Sequence, residues 1–281
     1  MTTRPATTLA VTGSTGQLGG RLVEVLGDAV THLVVRDPAR APQLPWSPPV
    51  RVAAYGDGEA ARAALAGVDV LLMVSASESP TRREEHRTFV EAATAAGVGH
   101  IVYTSFAGAS PDALFTLGRD HADTEAAIRD SGMTSTLLRD NFYADVLVHF
   151  ASDDGVIAGP AGDGRVALVT RQDCADALAA VLRDPASHRG ATYTLTGPEA
   201  VTLTEATSRM SEALGRSYRF VDQGLEEAYA SRRQWSQEQW QLDAWVSTYT
   251  AIRDGEVAEV TGDVERLTGH PASPLEAALR P

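Results

Sequence analysis

The chain contains no lysine, because all 24 of its basic residues are arginine. Any mechanism that needs a lysine amine as acid, base or Schiff-base nucleophile is therefore excluded. Only one cysteine, Cys174, is present, so no disulfide can form within these 281 residues. Such cysteine usage is typical of a reducing compartment, and we predict a cytoplasmic location.

Long apolar segments and an excess of positive charge are also missing. No segment approaches the roughly 18 uninterrupted apolar residues of a membrane-spanning helix, and Met-Thr-Thr-Arg-Pro at the start is too short and polar for a signal peptide. The formal net charge of −13 argues against a nucleic-acid-binding surface. The seven histidines are scattered along the chain, so we expect no metal site.

Three glycines join a short apolar strand to a helical pattern in residues 8–19, Thr-Leu-Ala-Val-Thr-Gly-Ser-Thr-Gly-Gln-Leu-Gly. Their spacing is G-x-x-G-x-x-G. The free N–H groups and the positive end of the helix dipole at such a turn bind a dinucleotide pyrophosphate. The predicted pyrophosphate contacts are Gly13, Thr15, Gly16, Gln17 and Leu18.

The end of the second predicted strand indicates which dinucleotide binds. A carboxylate there favours NAD, whereas a cation favours the 2′-phosphate of NADP. The strand ends at Arg36, and Arg40 follows one helical turn later. Guanidinium groups suit phosphate, so we predict NADPH, although Asp37 could pair with Arg36 instead.

Apolar runs and helical patterns alternate through the first half of the chain, as in doubly wound parallel sheets. We therefore predict an α/β protein with a Rossmann-type NAD(P)-binding domain at residues 1–150. Residues 151–281 are predicted to form a smaller C-terminal α/β part that caps the substrate, with segments returning to the first domain. Predicted local features include a third strand at Val50–Tyr55, a helix at Asp120–Asp130, and a Thr202–Glu205 capping box opening a helix that Gly215 stops.

Aromatic residues gather in the last predicted helical region, at Trp235, Trp240, Trp245 and Tyr249. They could line a pocket for a flat substrate, or they could form a small aromatic core. The pattern alone leaves both interpretations open.

These features together resemble an atypical short-chain dehydrogenase/reductase of the NmrA-like branch, which includes zinc-independent NAD(P)H:quinone oxidoreductases and triphenylmethane dye reductases. The resemblance runs nearly end to end. The segments that carry it include Thr-Gly-Ser-Thr-Gly-Gln-Leu-Gly-Gly (12–20), Val-Arg-Asp-Pro-Ala-Arg-Ala (35–41), Ser-Ala-Ser-Glu (75–78), Ala-Ala-Gly-Val-Gly-His-Ile-Val-Tyr-Thr-Ser (95–105) and His-Ala-Asp-Thr-Glu (121–125).

The resemblance implies further cofactor contacts. Asp57 is expected near the adenine, Ser75 and Ala76 near the nicotinamide-side ribose, and Ser105 also at the cofactor. Orthodox short-chain dehydrogenases use Tyr-x-x-x-Lys for proton transfer, whereas this chain has His121-Ala-Asp-Thr-Glu125, as the quinone reductase branch does.

A second departure lies in the sixth predicted strand. The quinone reductases carry Arg-Asn-Gly-aromatic, and this chain has Arg139-Asp140-Asn141-Phe142, with a carboxylate where an amide is expected. Reducing a quinone produces a phenolate-like charge, which one neutral donor can stabilise. We therefore predict hydride transfer to a quinone or similar conjugated acceptor, with His121 and Tyr143 as candidate proton donors.

Two other functions remain open. The protein could be a non-catalytic NAD(P) sensor of the NmrA type that binds a protein partner, or a tailoring reductase of a polyketide-like quinone. No coiled-coil heptads or long apolar edges are visible, so we expect a monomer or weak homodimer that binds a small aromatic molecule rather than a membrane.

Overall fold

A computed structural model describes residues 7–279 of the chain. The initial residues in which no signal peptide is expected lie largely outside this range. Within it, none of the helices combines the length and apolar character needed to cross a membrane.

The strands of the described chain are mostly short. They are β1 (Leu9–Thr12), β2 (His32–Val35), β3 (Val50–Val52), β4 (Val70–Met73), β5 (His100–Phe106), β6 (Thr134–Asp140), β7 (Val156–Gly159), β8 (Arg165–Val166), β9 (Thr192–Leu195), β10 (Val201–Thr202) and β11 (Arg219–Asp222).

The helices alternate with strands in the first half of the chain. They are α1 (Gln17–Leu26), α2 (Gly58–Ala64), α3 (Arg82–Ala95), α4 (Thr116–Asp130), α5 (Leu147–Phe150), α6 (Arg171–Arg183), α7 (Leu203–Leu214), α8 (Leu225–Arg232), α9 (Gln239–Arg253), α10 (Asp263–Thr268) and α11 (Leu275–Ala278).

A seven-stranded sheet in the order β3-β2-β1-β4-β5-β6-β9 forms the centre of the fold. Strands β1, β4 and β5 are buried on both faces, as expected for central parallel strands. The pairings from β3 through β5 are parallel. From β1 the next strands, β2 and β3, are added on one side, and β4, β5 and β6 are added on the other side. Ligands of such sheets bind where the strand order reverses, which here is between β1 and β4. The predicted Rossmann-type fold is confirmed.

The described residues divide into two compact units whose sequence ranges interleave. The first comprises residues 7–105, 123–138 and 175–193, and the second comprises residues 106–122, 139–174 and 194–279. A functional division at residue 150 stays a prediction.

Each unit has its own apolar core. Large side chains in the first core include Phe89, Leu71, Met73, Ile101 and Tyr103. Those in the second include Phe106, Phe115, Ile157, Met210 and Tyr249. The second unit also holds two small sheets, an antiparallel β10–β8 pair and a parallel β11–β7 pair.

Several element boundaries differ from the predicted ones. The third strand ends at Val52 rather than Tyr55, because the backbone turns at residues 55–56, where the Asp57 N–H donates to the Ala54 carbonyl at 3.1 Å. Helix α4 begins at Thr116 rather than Asp120. The predicted capping box is confirmed, since the Thr202 and Glu205 side chains each accept from the other's backbone N–H.

The core interpretation of the C-terminal aromatic residues applies to one member of the group. Tyr249 is buried in the core of the second unit. Trp235 lies outside the helices, in the segment between α8 and α9, and its side chain is 69% exposed. Trp240 and Trp245 are half-buried on α9.

Candidate cofactor and proton-donor sites

The glycine turn lies between β1 and α1 and leaves little room for side chains. Gly13 has a φ of 68°, in the left-handed region that favours glycine. A Cβ on Gly19 would lie 2.3 Å from the Gly13 carbonyl oxygen, so α1 can pack against the turn only through a glycine. Thr15, Gly16 and Gln17 are exposed at this turn.

The turn has properties expected of an anion site. No side chain caps the N-terminus of α1, and its first turn holds no acidic residue, so the helix start is suited to a bound anion. The Ser14 hydroxyl is buried without a hydrogen-bond partner among the described residues. A buried orphan polar atom beside uncapped helical N–H groups fits a pyrophosphate that accepts from both.

Two exposed arginines follow β2. Arg36 and Arg40 form no ion pair within residues 7–279. The Asp37 carboxylate accepts from the Ala39 N–H at 3.0 Å and caps the turn at Pro38–Arg40. Asp37 is therefore engaged in a turn rather than paired with Arg36, and the two guanidinium groups suit a 2′-phosphate.

The predicted adenine contact, Asp57, is exposed at the start of α2. Its side chain accepts from the Ala60 N–H at 3.0 Å, as an N-cap does. The structure thus gives Asp57 a local structural role, and its contact with adenine stays a prediction.

Side chains from three other segments hold the chain where it leaves β4. The Val74 N–H donates to Thr12 Oγ1 at 2.9 Å, and the Tyr55 hydroxyl donates to the Val74 carbonyl at 2.6 Å. The Ser75 N–H donates to Thr104 Oγ1 at 2.8 Å. Backbone groups without a strand partner are thereby satisfied by side chains.

The next peptide group is held from both sides. The Ala76 N–H donates to His86 Nε2 at 3.0 Å, and Arg82 Nε donates to the Ala76 carbonyl at 3.0 Å. Because His86 Nε2 accepts, its proton is on Nδ1, which lies 2.8 Å from Thr124 Oγ1. Both nitrogens of His86 are therefore engaged, and the 74–76 segment predicted to contact the nicotinamide-side ribose has a fixed shape.

Burial keeps His86 neutral. The side chain is fully buried, and burial, followed by the charge of Arg82, lowers its pKa to about 3. Sequence reasoning missed this role of His86, which depends on contacts with residues distant in sequence.

Ser105 lies near the end of β5, where it was predicted to contact the cofactor. Its hydroxyl donates to Glu125 Oε1 at 2.6 Å, and Arg129 pairs with Glu125 Oε2 at 2.6 Å. Glu125 thus binds serine and arginine at the position where an orthodox member of the family would have lysine. The Ser105 oxygen can still accept a hydrogen bond.

A second cluster, within the second unit, surrounds Asp140. The Tyr143 hydroxyl donates to Asp140 Oδ2 at 2.6 Å, and the Cys174 thiol lies beside the same carboxyl group. Asp140 is 2% exposed, and among the described residues its Oδ1 has no hydrogen-bond partner. Burial raises the pKa of Asp140 to about 7, although hydrogen bonds from Tyr143 and Cys174 oppose this change.

Burial also keeps the two neighbours of Asp140 protonated. It raises the pKa of Tyr143 well above its usual value, and the Asp140 charge adds to this effect. Burial likewise raises the pKa of the Cys174 thiol. Asp140 is therefore the member of this cluster that titrates near neutral pH.

The residue after Asp140 has a different task. The Asn141 amide donates to the Val257 carbonyl at 3.0 Å, and its oxygen accepts from the Phe142 N–H at 2.7 Å. Asn141 thus connects two backbone segments of the second unit.

His121, the other predicted proton donor, is on α4 and 7% exposed. Its ring centroid lies 6.0 Å from that of Phe106. The rings of Phe106, Phe115 and Phe142 pack against one another at centroid distances of 4.8 to 5.2 Å. His121 therefore borders an aromatic cluster, an environment suited to a flat apolar molecule.

The parallel sheet, the glycine turn at its switch point and the exposed arginines define a dinucleotide-binding α/β protein. Comparison with known families agrees with this class. The chain belongs to the NAD(P)H-binding family, whose model matches residues 13–185. The family resemblance drawn from the sequence is thus confirmed.

Individual relatives match over nearly their whole length. Quinone oxidoreductase 2 of Escherichia coli strain K12 is 34% identical to this chain, with 96% of this chain and 97% of the relative covered. The structure of that NADPH-dependent enzyme complexed with NADPH superimposes with a TM-score of 0.88, covering 97% of this chain and 98% of that one.

Two further relatives act on other molecules. A Streptomyces griseus (4-alkanoyl-5-oxo-2,5-dihydrofuran-3-yl)methyl phosphate reductase is 34% identical, with 95% of each chain covered. A Citrobacter sp. triphenylmethane reductase complexed with NADP(H) is 31% identical with a TM-score of 0.85, covering 97% of this chain and 99% of that one.

Proposed function

We propose that this protein is an NADPH-dependent reductase that transfers hydride to a quinone or a similarly electron-poor conjugated acceptor. The observation that carries the proposal is a complete dinucleotide turn in a chain without lysine. The relatives of this chain include reductases of quinones, dyes and an unsaturated lactone. These acceptors share low electron density rather than a common shape.

The residues of the first unit fit NADPH. The α1 N-terminus and the Ser14 hydroxyl would hold the pyrophosphate, and Arg36 with Arg40 would hold the 2′-phosphate. The fixed Ser75–Ala76 backbone would orient the nicotinamide-side ribose. When bound, NADPH supplies the hydride.

The residues present suit an acceptor that needs little acid assistance. A simple ketone becomes an alkoxide-like centre that needs a strong, positioned acid. A reduced quinone carries a phenolate-like charge whose conjugate acid has a pKa of about 10. A neutral tyrosine or histidine can stabilise this charge by donating a hydrogen bond, and we propose Tyr143 and His121 as the candidate donors.

A matched pair of glycine variants tests the function. Gly19→Ala places a Cβ 2.3 Å from a backbone oxygen, whereas the nearest atom to a Cβ on Gly20 is 3.5 Å away. We expect Gly19→Ala to weaken NADPH binding and quinone-dependent NADPH oxidation at least about 100-fold, and Gly20→Ala to retain both. Cofactor fluorescence titrations measure the binding, and NADPH is expected to bind more tightly than NADH because of the arginines.

The same measurements distinguish an enzyme from a sensor. A reductase oxidises NADPH with 1,4-benzoquinone-type acceptors, keeps this activity in the presence of a chelator and shows no flavin absorbance. Tight NADPH binding without turnover of a broad acceptor panel would contradict the proposal and favour an NmrA-type sensor. Low activity on simple quinones but high activity on polyketide-like quinones would identify a tailoring reductase.

The proposal also covers the cellular location and the oligomeric state of the protein. The single cysteine is buried, which supports a reducing compartment, the cytoplasm. We also propose a monomer or weak homodimer, which light scattering at micromolar concentration tests.

A further inference from the structure

The Asp140 carboxyl group is unusual because it is buried beside two donors, the Tyr143 hydroxyl and the weakly donating Cys174 thiol, yet one of its oxygens has no hydrogen-bond partner in the described part of the chain. Oδ2 accepts from Tyr143 at 2.6 Å, while Oδ1 has no hydrogen-bond partner among residues 7–279. A buried carboxylate is normally paired or fully hydrogen-bonded, because desolvation strongly disfavours its charge. The geometry is therefore suited to a carboxyl group that carries a proton part of the time.

The other charged and titratable groups near Asp140 have partners of their own. The Arg171 guanidinium lies over the Tyr143 ring, 5.1 Å from its centroid, and Asp145 Oδ2 accepts from the backbone N–H of Arg171 at 2.9 Å. Asp173, next to Cys174 in sequence, accepts from both the N–H and the hydroxyl of Ser273. Cys174, which lies beside Asp140, stays a neutral thiol. Within residues 7–279, Asp140 therefore has no cation paired with its charge.

The protonation state of Asp140 decides where the Tyr143 hydrogen lies. When Asp140 is ionised, it can only accept, so the tyrosine hydroxyl must donate to it across the 2.6 Å contact. When Asp140 is protonated, its own O–H can donate to Tyr143 Oη. The tyrosine hydrogen is then available to another acceptor.

We propose that Asp140 is a positioning residue that controls proton delivery by Tyr143: the protonated carboxyl group releases the tyrosine hydroxyl to donate, and the ionised carboxylate withholds it. This inference rests on the proposed function, because it requires an acceptor oxygen at Tyr143. It assigns a role to the carboxylate found at a position where the sequence resemblance implies an amide.

The proton balance is complete for a quinone. The acceptor gains one hydride, and its oxygen takes the Tyr143 hydrogen. Tyr143 Oη takes the proton of Asp140, so the tyrosine ends neutral and Asp140 ends ionised. Asp140 regains a proton from water before the next turnover.

Two kinds of acceptor test the role of Asp140 separately from the reductase activity, because one kind needs a proton as well as a hydride and the other needs only a hydride. Reduction of a quinone needs a hydride and a proton. A cationic triphenylmethane dye needs only a hydride, since the cation becomes a neutral molecule when the new C–H bond forms. The proposed pH dependence should therefore appear with a quinone and be absent with the dye, and an N-alkylacridinium cation replaces the dye if the dye is not reduced.

The decisive variant is Asp140→Asn, which retains the shape of the side chain but cannot ionise. Its matched control is Asp243→Asn, because Asp243 accepts from Tyr229 at 2.8 Å in a second tyrosine–aspartate pair of the same unit. Between pH 6 and pH 8 we expect the wild-type single-turnover rate with a quinone to fall about tenfold. Asp140→Asn should remove this fall, and Asp243→Asn should keep it.

Tyr143→Phe completes the test with the same two acceptors. It should slow quinone reduction about tenfold and leave reduction of the cationic acceptor within about twofold of wild type. Equal slowing with both acceptors would show that Tyr143 is structural and would overturn the inference. So would an Asp140→Asn enzyme that keeps the wild-type pH dependence.

A measurement without cofactor or substrate checks the titration directly. The infrared carbonyl band of a buried, protonated carboxyl group should be present in the wild-type protein at pH 6, disappear towards pH 8, and be missing at both pH values in Asp140→Asn. Retention of the wild-type band in Asp140→Asn would assign it to another carboxyl group and contradict the inference. If the band titrated but no acceptor were reduced, the proposed function would be contradicted. The titration of Asp140 would still be supported.

Discussion

His86 in the first unit and Asp140 in the second are both buried titratable side chains, and their surroundings differ in one respect. Both ring nitrogens of His86 have partners, the Ala76 N–H and Thr124 Oγ1. Asp140 has a partner for one carboxyl oxygen only, among the residues described. Burial disfavours the charged form of each, so the pKa of His86 falls to about 3 and that of Asp140 rises to about 7.

The comparison shows how equal burial produces different behaviour. His86 stays neutral throughout the physiological range and serves as a fixed link that shapes the predicted cofactor loop. Asp140 changes its charge near neutral pH and can therefore act as a switch. Complete hydrogen bonding is the mark of a structural group, whereas a missing partner identifies a group whose protonation can change.

The largest expected effect is on stability at Asp140. Its pKa is raised from 3.8 unfolded to about 7 folded, so the stabilising effect of the bound proton is complete below about pH 4 and is lost as pH rises through 7. One pKa unit corresponds to about 1.4 kcal/mol, which predicts that Asp140→Asn is more stable than wild type by about 2 to 4 kcal/mol at pH 8. Denaturant unfolding measures this difference.

The difference should shrink as the pH falls towards 4, where the wild-type carboxyl group is also protonated. Asp243→Asn serves as the control and should show no such gain at pH 8. A constant difference between Asp140→Asn and wild type from pH 4 to pH 8 would contradict the assignment.

A smaller effect is expected at His86. His86→Leu removes the acceptor of the buried Ala76 N–H and the contact with Thr124 Oγ1, which should destabilise the fold by about 1 to 3 kcal/mol and weaken NADPH binding. His86→Gln offers an oxygen in place of Nε2 and should recover part of both losses. Thermal unfolding and cofactor titration provide the measurements.

The pH dependence of His86 has the opposite sign. Its folded pKa is lowered, so its stabilising contribution is complete above about pH 6.5 and is lost progressively as pH falls towards 3. Its variants should not alter the pH profile of quinone reduction near neutral pH. If His86→Gln changed that profile, as Asp140→Asn is expected to, the distinction between a fixed group and a switch would fail.

The sequence predicted the parts of this molecule that depend on local patterns. The strand, the glycine turn and the start of α1 occupy consecutive residues, and each glycine position follows from steric limits. The capping box at Thr202 and the stop at Gly215 are equally local, and both are present in the structure.

The contacts that define the two clusters are not local. Thr12 and Val74 are 62 residues apart, and His86 and Thr124 are 38 apart. Single-sequence patterns give no distance between such positions. Asp140 could be singled out because a carboxylate replaced an expected amide, yet its bond to Tyr143 and its unused oxygen depend on three-dimensional packing.

The smallest expected effect is at His121, the other candidate donor. This side chain is 7% exposed and lies beside the Phe106 ring, and a quinone needs only one neutral donor, for which Tyr143 is already placed beside a titrating carboxyl group. We therefore expect His121→Ala to slow quinone turnover about two- to threefold, with no change in the pH profile, while the exposed His149→Ala control equals wild type. Steady-state NADPH oxidation measures both. A loss beyond about 100-fold in a folded, NADPH-binding His121→Ala protein would be the size expected for loss of general acid catalysis, and it would transfer the proton-donor role from Tyr143 to His121.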